Sequence, residues 1–321
     1  MALARLHLKP LADGEKIHFT DIIGMGRGRT FWVMASTATG YKAFFDDHNV
    51  VQDGTNSVYN TVDAAISACT AGRGDVVYVT EGHTETVTAT SIAHDVAGVT
   101  VIGLGSGQNR PTFTYGAAAA TITISGANGG WVNCRFVANF LDVASAFTLG
   151  AAKGFTLQGN EFTETSSTLN FLSIVTTGAT DNDADDLVVR DNLWIGLNTT
   201  PLAFISILAA ESGLLAEDNS CFLDATSGGE FITLAAKIIS AARIRRNNHI
   251  VVGATGTTTG IFLTGSGTTS KGVVHDNFCS SLDTTTELMF TAGTGLDYFR
   301  NEYTGVADKS GYIVPVIDSS A

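Results

Sequence analysis

The sequence predicts an all-β chain wound as a right-handed parallel β-helix, with a helix capping its N-terminal end and a separate N-terminal attachment segment. Three observations predict it. A short pattern of alternating apolar residues ending in Asn recurs from residue 130 to 303, and a second apolar strand recurs between its copies. The composition also suits stacked short strands: 15% of residues are charged, against about 25% in a typical soluble domain, while Gly reaches 35 and Pro only 4.

The repeat reads FTLQGNEF (155–162), LVVRDNLW (187–194), LLAEDNSC (214–221), ARIRRNNH (242–249) and GVVHDNFC (272–279), with DYFRNEY (297–303) as a looser last copy and WVNCRF (131–136) as a variant first one. Its Asn residues at 133, 160, 192, 219, 247, 277 and 301 are spaced 27, 32, 27, 28, 30 and 24 residues apart. Repeats of this length are the signature of a solenoid, in which each unit buries its apolar face only by stacking on the next. The interleaved strands are AFTL (146–149), FLSI (171–174), FISI (204–207), FITL (231–234), IFLT (261–264) and LMFT (288–291). A sandwich of hairpins would show turn signals every 8–12 residues or so and no positional Asn. Stacked coils explain the Asn: at a corner it tolerates the left-handed conformation, and successive amides can hydrogen-bond along the stack. The residues two positions later (Phe162, Trp194, Cys221, His249, Cys279 and Tyr303) are expected to form an adjoining core stack.

Upstream, SVYNTVDAAISACTAG (57–72) has apolar residues at Val62, Ala65, Ile66 and Cys69, a helical spacing. Thr61 is its expected N-cap and Gly72 its expected stop. The following DVVYVTEG (75–82) and VTVIGLG (99–105) read as the first coils, and the helix as the cover that an open stack requires. The expected organisation is therefore 1–45 as a separate contact segment, 46–74 as linker and capping helix, 75–303 as β-helix and 304–321 as a tail.

The net charge is −13, yet residues 1–45 carry six basic and three acidic groups, leaving −16 on the other 276. Such an asymmetry hints at two differently partnered regions, and a body this acidic argues against a nucleic-acid binder. No apolar run approaches the roughly 18 residues that span a bilayer, so no membrane partner is expected. MALARLHLKPLADGEK also lacks the apolar stretch of about 7–15 residues found in a secretory signal, so synthesis in a cytoplasm is expected. Cys69, Cys134, Cys221 and Cys279 lack metal-ligand spacing and read as buried free thiols.

The run TVDAAISACTAGRGDVVYVTEGHTETV (61–87), then DVAGVTVIGLG (95–105) and the Asn repeats, resembles the pectate-lyase-like β-helix superfamily over about residues 50–303. More narrowly, it is similar to β-helix proteins encoded among the structural genes of tailed bacteriophages. The fold hosts lyases, hydrolases, adhesins and inert virion parts alike. Within the phage group the resemblance implies a virion location and a homotrimeric capsid decoration, cement or head-fibre protein. Residues 1–45 would anchor it to the major capsid protein or another virion protein. The competing implication is a tail-associated receptor-binding protein or polysaccharide depolymerase with a host glycan as partner.

Several constellations bear on that choice. Asp181, Asp183 and Asp185 alternate in DNDADD (181–186), within the longest spacing between repeats, and read either as a Ca²⁺ site or as a solvated loop lacking the closing Glu of a full motif. Arg243, Arg245 and Arg246 read either as a site for an anionic sugar or an acidic neighbour, or as ion-pair partners of Glu217 and Asp218. Asp46, Asp47 and His48 read as a turn or interface, and Gly82-His83-Thr84-Glu85 as a polar corner. GMGRGR (24–29) and GLGSGQ (103–108) lack the strand, loop and helix context of a phosphate loop. Paired carboxylates set for glycoside hydrolysis are not apparent. The expectation is thus a chain that is not an enzyme, with no catalytic, cofactor-binding or metal-binding residue assigned and no cofactor.

Overall fold

The computed structural model describes residues 28–35, 51–52, 55–89, 91–235, 237–252, 262–265, 270–281, 295–305 and 311–313. They form a right-handed parallel β-helix with three long sheets of eleven, seven and ten strands. Each strand pairs in parallel with its counterpart one coil away: Thr156–Gln158 lies between Gly130–Val132 and Val188–Arg190, and Glu161–Glu164 between Arg135–Ala138 and Leu193–Gly196. One coil therefore runs through the first sheet, a sharp corner, the third sheet, a turn, the second sheet and a loop back to the first. The interleaved strands of the sequence form the second sheet, where Phe147, Val175, Ile205, Ile232 and Leu263 stand in register. The short LMFT strand (288–291) lies outside the described residues.

The Asn-containing pattern is two strands rather than one, split by the corner, and this corrects the conformational role expected of Asn. The left-handed residue is the one before it: Gly159, Asp191, Asp218, Arg246, Asp276 and Arg300 have φ between 52° and 65°. That kink turns the next residue, Asn, inward. Asn160, Asn192, Asn219, Asn247, Asn277 and Asn301 are all buried. From Asn192 onward each accepts at its side-chain oxygen from the backbone N–H and the Nδ2 of the Asn one coil earlier, at 2.9–3.2 Å. Each also donates from Nδ2 to a first-sheet carbonyl, as Asn219 does to Val189 at 2.8 Å. Asn133 is not a rung. With φ 58° it occupies the corner, and Cys134 takes the ladder position, its N–H donating to Asn160 Oδ1 at 2.9 Å.

Beside the ladder runs the expected core column, extended upward by Phe113 and Phe136 and continuing through Phe162, Trp194, Cys221, His249, Cys279 and Tyr303, all buried. Phe113, Phe136 and Phe162 stack at 5.5 and 5.1 Å between ring centroids, and Phe204, Phe231 and Phe262 form a second stack at 5.4 and 4.7 Å. The cysteines are free thiols, three of them buried and Cys69 half-buried. Burial pushes Cys134 up to about 12.

The helix α1 spans Val62–Ser67, and Thr61 Oγ1 accepts from Ala64 N–H, as its sequence implies. It buries Val62, Ala65 and Ile66 against Thr30–Val33, Val58–Tyr59, Val76–Val79 and Ala93–His94, covering the end of the stack. It stops at Ser67, short of Gly72, which instead takes φ 70° in the turn toward Asp75. Asp75 then fastens the first coil, accepting from the backbone N–H of Arg29 and Thr70 and from both ends of the Arg73 guanidinium.

Thr30–Val33 is a strand of the first sheet, in register with Val76–Val79. The expected separation of residues 1–45 from the solenoid is therefore corrected for this stretch: two neighbouring strands satisfy its backbone and draw it into the first coil. Residues 1–27 and 36–50, including Asp46, Asp47, His48 and most of GMGRGR, lie outside the described residues. In the tail, Gly311–Ile313 returns antiparallel to Asn301–Gly305.

Replacing Asn219 by Leu removes the groups serving Val189, Asn192 and Asn247 while keeping the branched side-chain layout in a somewhat larger form. Orphaned buried polar groups cost about 1–3 kcal/mol each, so a loss of about 3 kcal/mol or more is expected in urea unfolding. Thr199→Ala, at an exposed position, should shift the midpoint by less than about 0.5 kcal/mol.

Candidate functional site

The charged residues of the repeats gather at the corner between the first and third sheets. In-register strands carry Gln158, Arg190, Glu217, Arg245, His275 and Phe299 at one position, with the left-handed residues just beyond. Stacking brings them into ion pairs across coils. Arg245 Nε donates to Glu217 Oε2 at 2.7 Å, and Arg246 grips Asp218 through two bonds of 2.8 and 2.7 Å while reaching Glu217 at 3.1 Å. Next along, Asp276 receives Arg300 NH2 at 2.7 Å and lies 2.6 Å from His275 Nδ1, while the His275 ring lies flat on Phe299 at 4.7 Å. The Arg246 hydrogen bonds hold Asp218 below the usual carboxylate range, and the His275 contact followed by Arg300 does so for Asp276. Of the two readings of the arginine cluster, pairing with Glu217 and Asp218 therefore holds for Arg245 and Arg246.

Arg243 is different. It lies on the same outward face as Arg245, between Leu215 and Val273 in register. Its side chain is exposed, and no acidic partner meets it among the described residues. Chemically Arg243 is a cation between apolar neighbours, an arrangement suited to a carboxylate or sulfate. A shallow open depression nearby is lined by Asp276, Asn277, Phe278, Arg300 and Glu302, where Asp276 and Arg300 already satisfy each other.

The acidic loop is built into the stack. Asp181 Oδ1 accepts from Ala210 N–H at 2.9 Å, and Asp185 Oδ1 from Ser212 N–H at 2.7 Å, so two of the three alternating carboxylates fasten the next coil. Lys153 Nζ lies 3.7 Å from Asp185. No group of three or more acidic, His or Cys side chains among the described residues is arranged to hold a metal ion. The 82–85 corner brings His83 Nε2 to 3.2 Å from Glu85 Oε2, but Glu85 also accepts from Val62 N–H at the start of α1. Both side chains lie largely beneath the surface, and the pair serves the cap.

Two polar sites escape the repeat pattern. Glu164 is buried in the third sheet, accepts from the backbone N–H of Phe171, Leu197 and Asn198, and receives Trp194 Nε1 at 3.4 Å. Burial pushes it up to about 7 against the pull of those donors. Its strand alternates so that Glu164 is in phase with the inward Phe162, and that phase was its signal in the sequence. Glu211 accepts from Ala184 N–H, and burial followed by repulsion from Asp185, Asp183 and Asp181 raises it to about 7. In the core, His94 Nδ1 accepts from Trp131 Nε1 at 3.0 Å, and His249 packs against Phe231 and Phe262.

These features define a β-solenoid whose repeat polarity is consumed internally. No protein-family model matches the chain, and no curated protein sequence matches it. Among solved structures it is similar to the pectin methylesterase from Aspergillus niger in deglycosylated form, at 14% identity and a TM-score of 0.49, covering 89% of this chain and 91% of that one. Because that protein is an enzyme, the expectation of a chain outside the enzymes is withdrawn. The likeness is one of fold, and it assigns no activity.

Stability should depend on pH in two opposing ways. Burial lowers His94 and His249 to about 4 from an ordinary 6.5, with smaller opposing pulls from the Val99 and Gly229 backbone. Their contribution is complete above pH 6.5 and is lost as pH falls toward 4. Glu164 and Glu211 are raised from 4.5 to about 7, so their contribution is complete below 4.5 and is lost as pH rises through 7. In thermal melts, His249→Phe should flatten the acid-side fall in Tm. Glu211→Gln should raise Tm at about pH 8 and leave it little changed near pH 4.5.

Proposed function

We propose that this chain is a structural protein of a tailed-bacteriophage particle, a capsid decoration or head-fibre protein whose N-terminal region attaches it and whose acidic β-helix is displayed. One observation carries the reading. From Asn160 to Asn301 a buried amide ladder joins successive coils without a gap, and the corner charges pair along the same axis. A body so built resists bending and extension, as an element fixed on a particle surface must. The basic character of residues 1–45 beside an acidic body supports attachment at that end. Residues 1–27, with four basic and three acidic groups, are the portion left for attachment, since Thr30–Val33 belongs to the first coil.

A second reading is favoured by Arg243. A guanidinium with no acidic partner among the described residues, on an outer sheet face, would suit a tail-associated receptor-binding protein or depolymerase that engages an acidic glycan.

Deleting residues 1–27 should abolish co-sedimentation with purified particles while leaving the β-rich circular dichroism spectrum intact. Full retention on particles would count against the attachment reading. In parallel, incubation with an acidic capsular polysaccharide separates the two readings. Retention of the polysaccharide that weakens about tenfold or more in Arg243→Ala, with or without new reducing ends, would favour the tail-associated role.

A further inference from the structure

We propose that Lys237, Arg243 and Lys271 form a binding site for a phosphate monoester carried on a sugar. Among the described residues from 73 onward, every other lysine and arginine meets a carboxylate or, in the case of Arg190, the side-chain oxygen of Gln158. These three are exposed and meet no such acceptor there. They are also neighbours in space. Lys271 N–H donates to Ile239 O, two residues after Lys237, at 2.8 Å, and Lys271 O accepts from Ala242 N–H, one residue before Arg243, at 3.1 Å. Arg243 stands in register with Val273, so Lys271 lies diagonally across the gap of about 4.8 Å between coils. Stacking thus gathers three cations where the loop from the second sheet enters the first, on a body that is otherwise acidic.

Charge and extent select the ligand. One planar guanidinium and two mobile ammonium groups match a group with about two negative charges and three acceptor oxygens, whereas a single carboxylate leaves a cation unserved. The patch is also short. Along the axis it is bounded by Asp186, two coils before it, and by Asp297, next in register after Val273, both exposed. A nucleic-acid duplex, with one charge about every 1.7 Å, or another long polyanion lying along the solenoid would meet those carboxylates, and an anionic membrane would meet the whole acidic body. A compact dianion avoids them. Beside the cations, Ser240 stands in register with Ser212. Both are half-buried, and neither hydroxyl is bonded to another described residue. Hydroxyls so placed can bond those of a sugar, for which a free phosphate has no counterpart.

The inference goes beyond both readings above, since it is tested on the isolated full chain. Isothermal titration at low salt with glucose 1-phosphate should give a Kd of about 1 mM or tighter, and glucose alone should not bind. Lys237→Gln, Arg243→Gln and Lys271→Gln together should weaken binding about thirtyfold or more, and Ser212→Ala with Ser240→Ala about threefold or more. Arg300→Gln, whose guanidinium is held by Asp276, should leave it unchanged. None of these side chains is fully buried, so the circular dichroism spectrum should stay that of the wild type. Absence of binding to the wild type, or wild-type affinity in the triple variant, would overturn the site. Inorganic phosphate bound as tightly as the sugar phosphate would overturn the assignment to a sugar. An acidic capsular polysaccharide retained where glucose 1-phosphate is not would overturn the phosphate site while leaving the acidic-glycan reading of Arg243 standing.

Discussion

A carboxamide taken out of water must find partners for two N–H hydrogens and for its oxygen, or the burial costs several kcal/mol. In this protein the buried Asn of each coil finds them on both sides: its oxygen takes two N–H groups from the coil before it, and its nitrogen serves a first-sheet carbonyl and the amide of the following coil. The rest of the structure depends on that exchange. It fixes the register of coils whose lengths differ, because a slip by one residue would turn every amide out of the stack and every core side chain to solvent. It also makes the corner tolerable for Asp and Arg, whose left-handed φ near 55° would otherwise be unfavourable.

The same register organises the charges. Strands stacked a few ångströms apart place equivalent side chains over one another, so Arg245 and Arg246 meet Glu217 and Asp218 from 28 residues away. Charges that look like a basic cluster along the chain become an alternating column across coils. Such pairs near the surface add little stability individually, but they neutralise the corner, whereas Arg243 meets no acidic partner among the described residues. The repeat side chains at this corner are thereby largely occupied with one another.

Much of the body was legible because a solenoid writes its architecture as a local period. Phe162, Trp194, Cys221, His249, Cys279 and Tyr303 were identifiable as one core column from their place after Asn alone, and the apolar spacing at Val62, Ala65 and Ile66 marked the capping helix. Asn133 was misread because residue type was taken for position: the deeper coil offers Cys134, not Asn, to the ladder. Glu164 and Glu211 were overlooked because acidic residues are read as surface until strand phase shows them facing inward. The acidic loop held two readings until its carboxylates were seen to accept backbone N–H groups from the adjoining coil, contacts that no spacing within the loop encodes.

The sequence by itself determined the fold class, the rung spacing, the core column and the acidic character of the body, since each follows from composition or from a period along one chain. Only the tertiary structure decided which residue takes the corner, that Thr30–Val33 belongs to the first coil, and that Arg245 and Arg246 are spent on acids one coil away. Those outcomes rest on contacts between residues separated by a whole coil or more. Their partners are chosen by stacking in space, and the order of residues along the chain records only half of each pair.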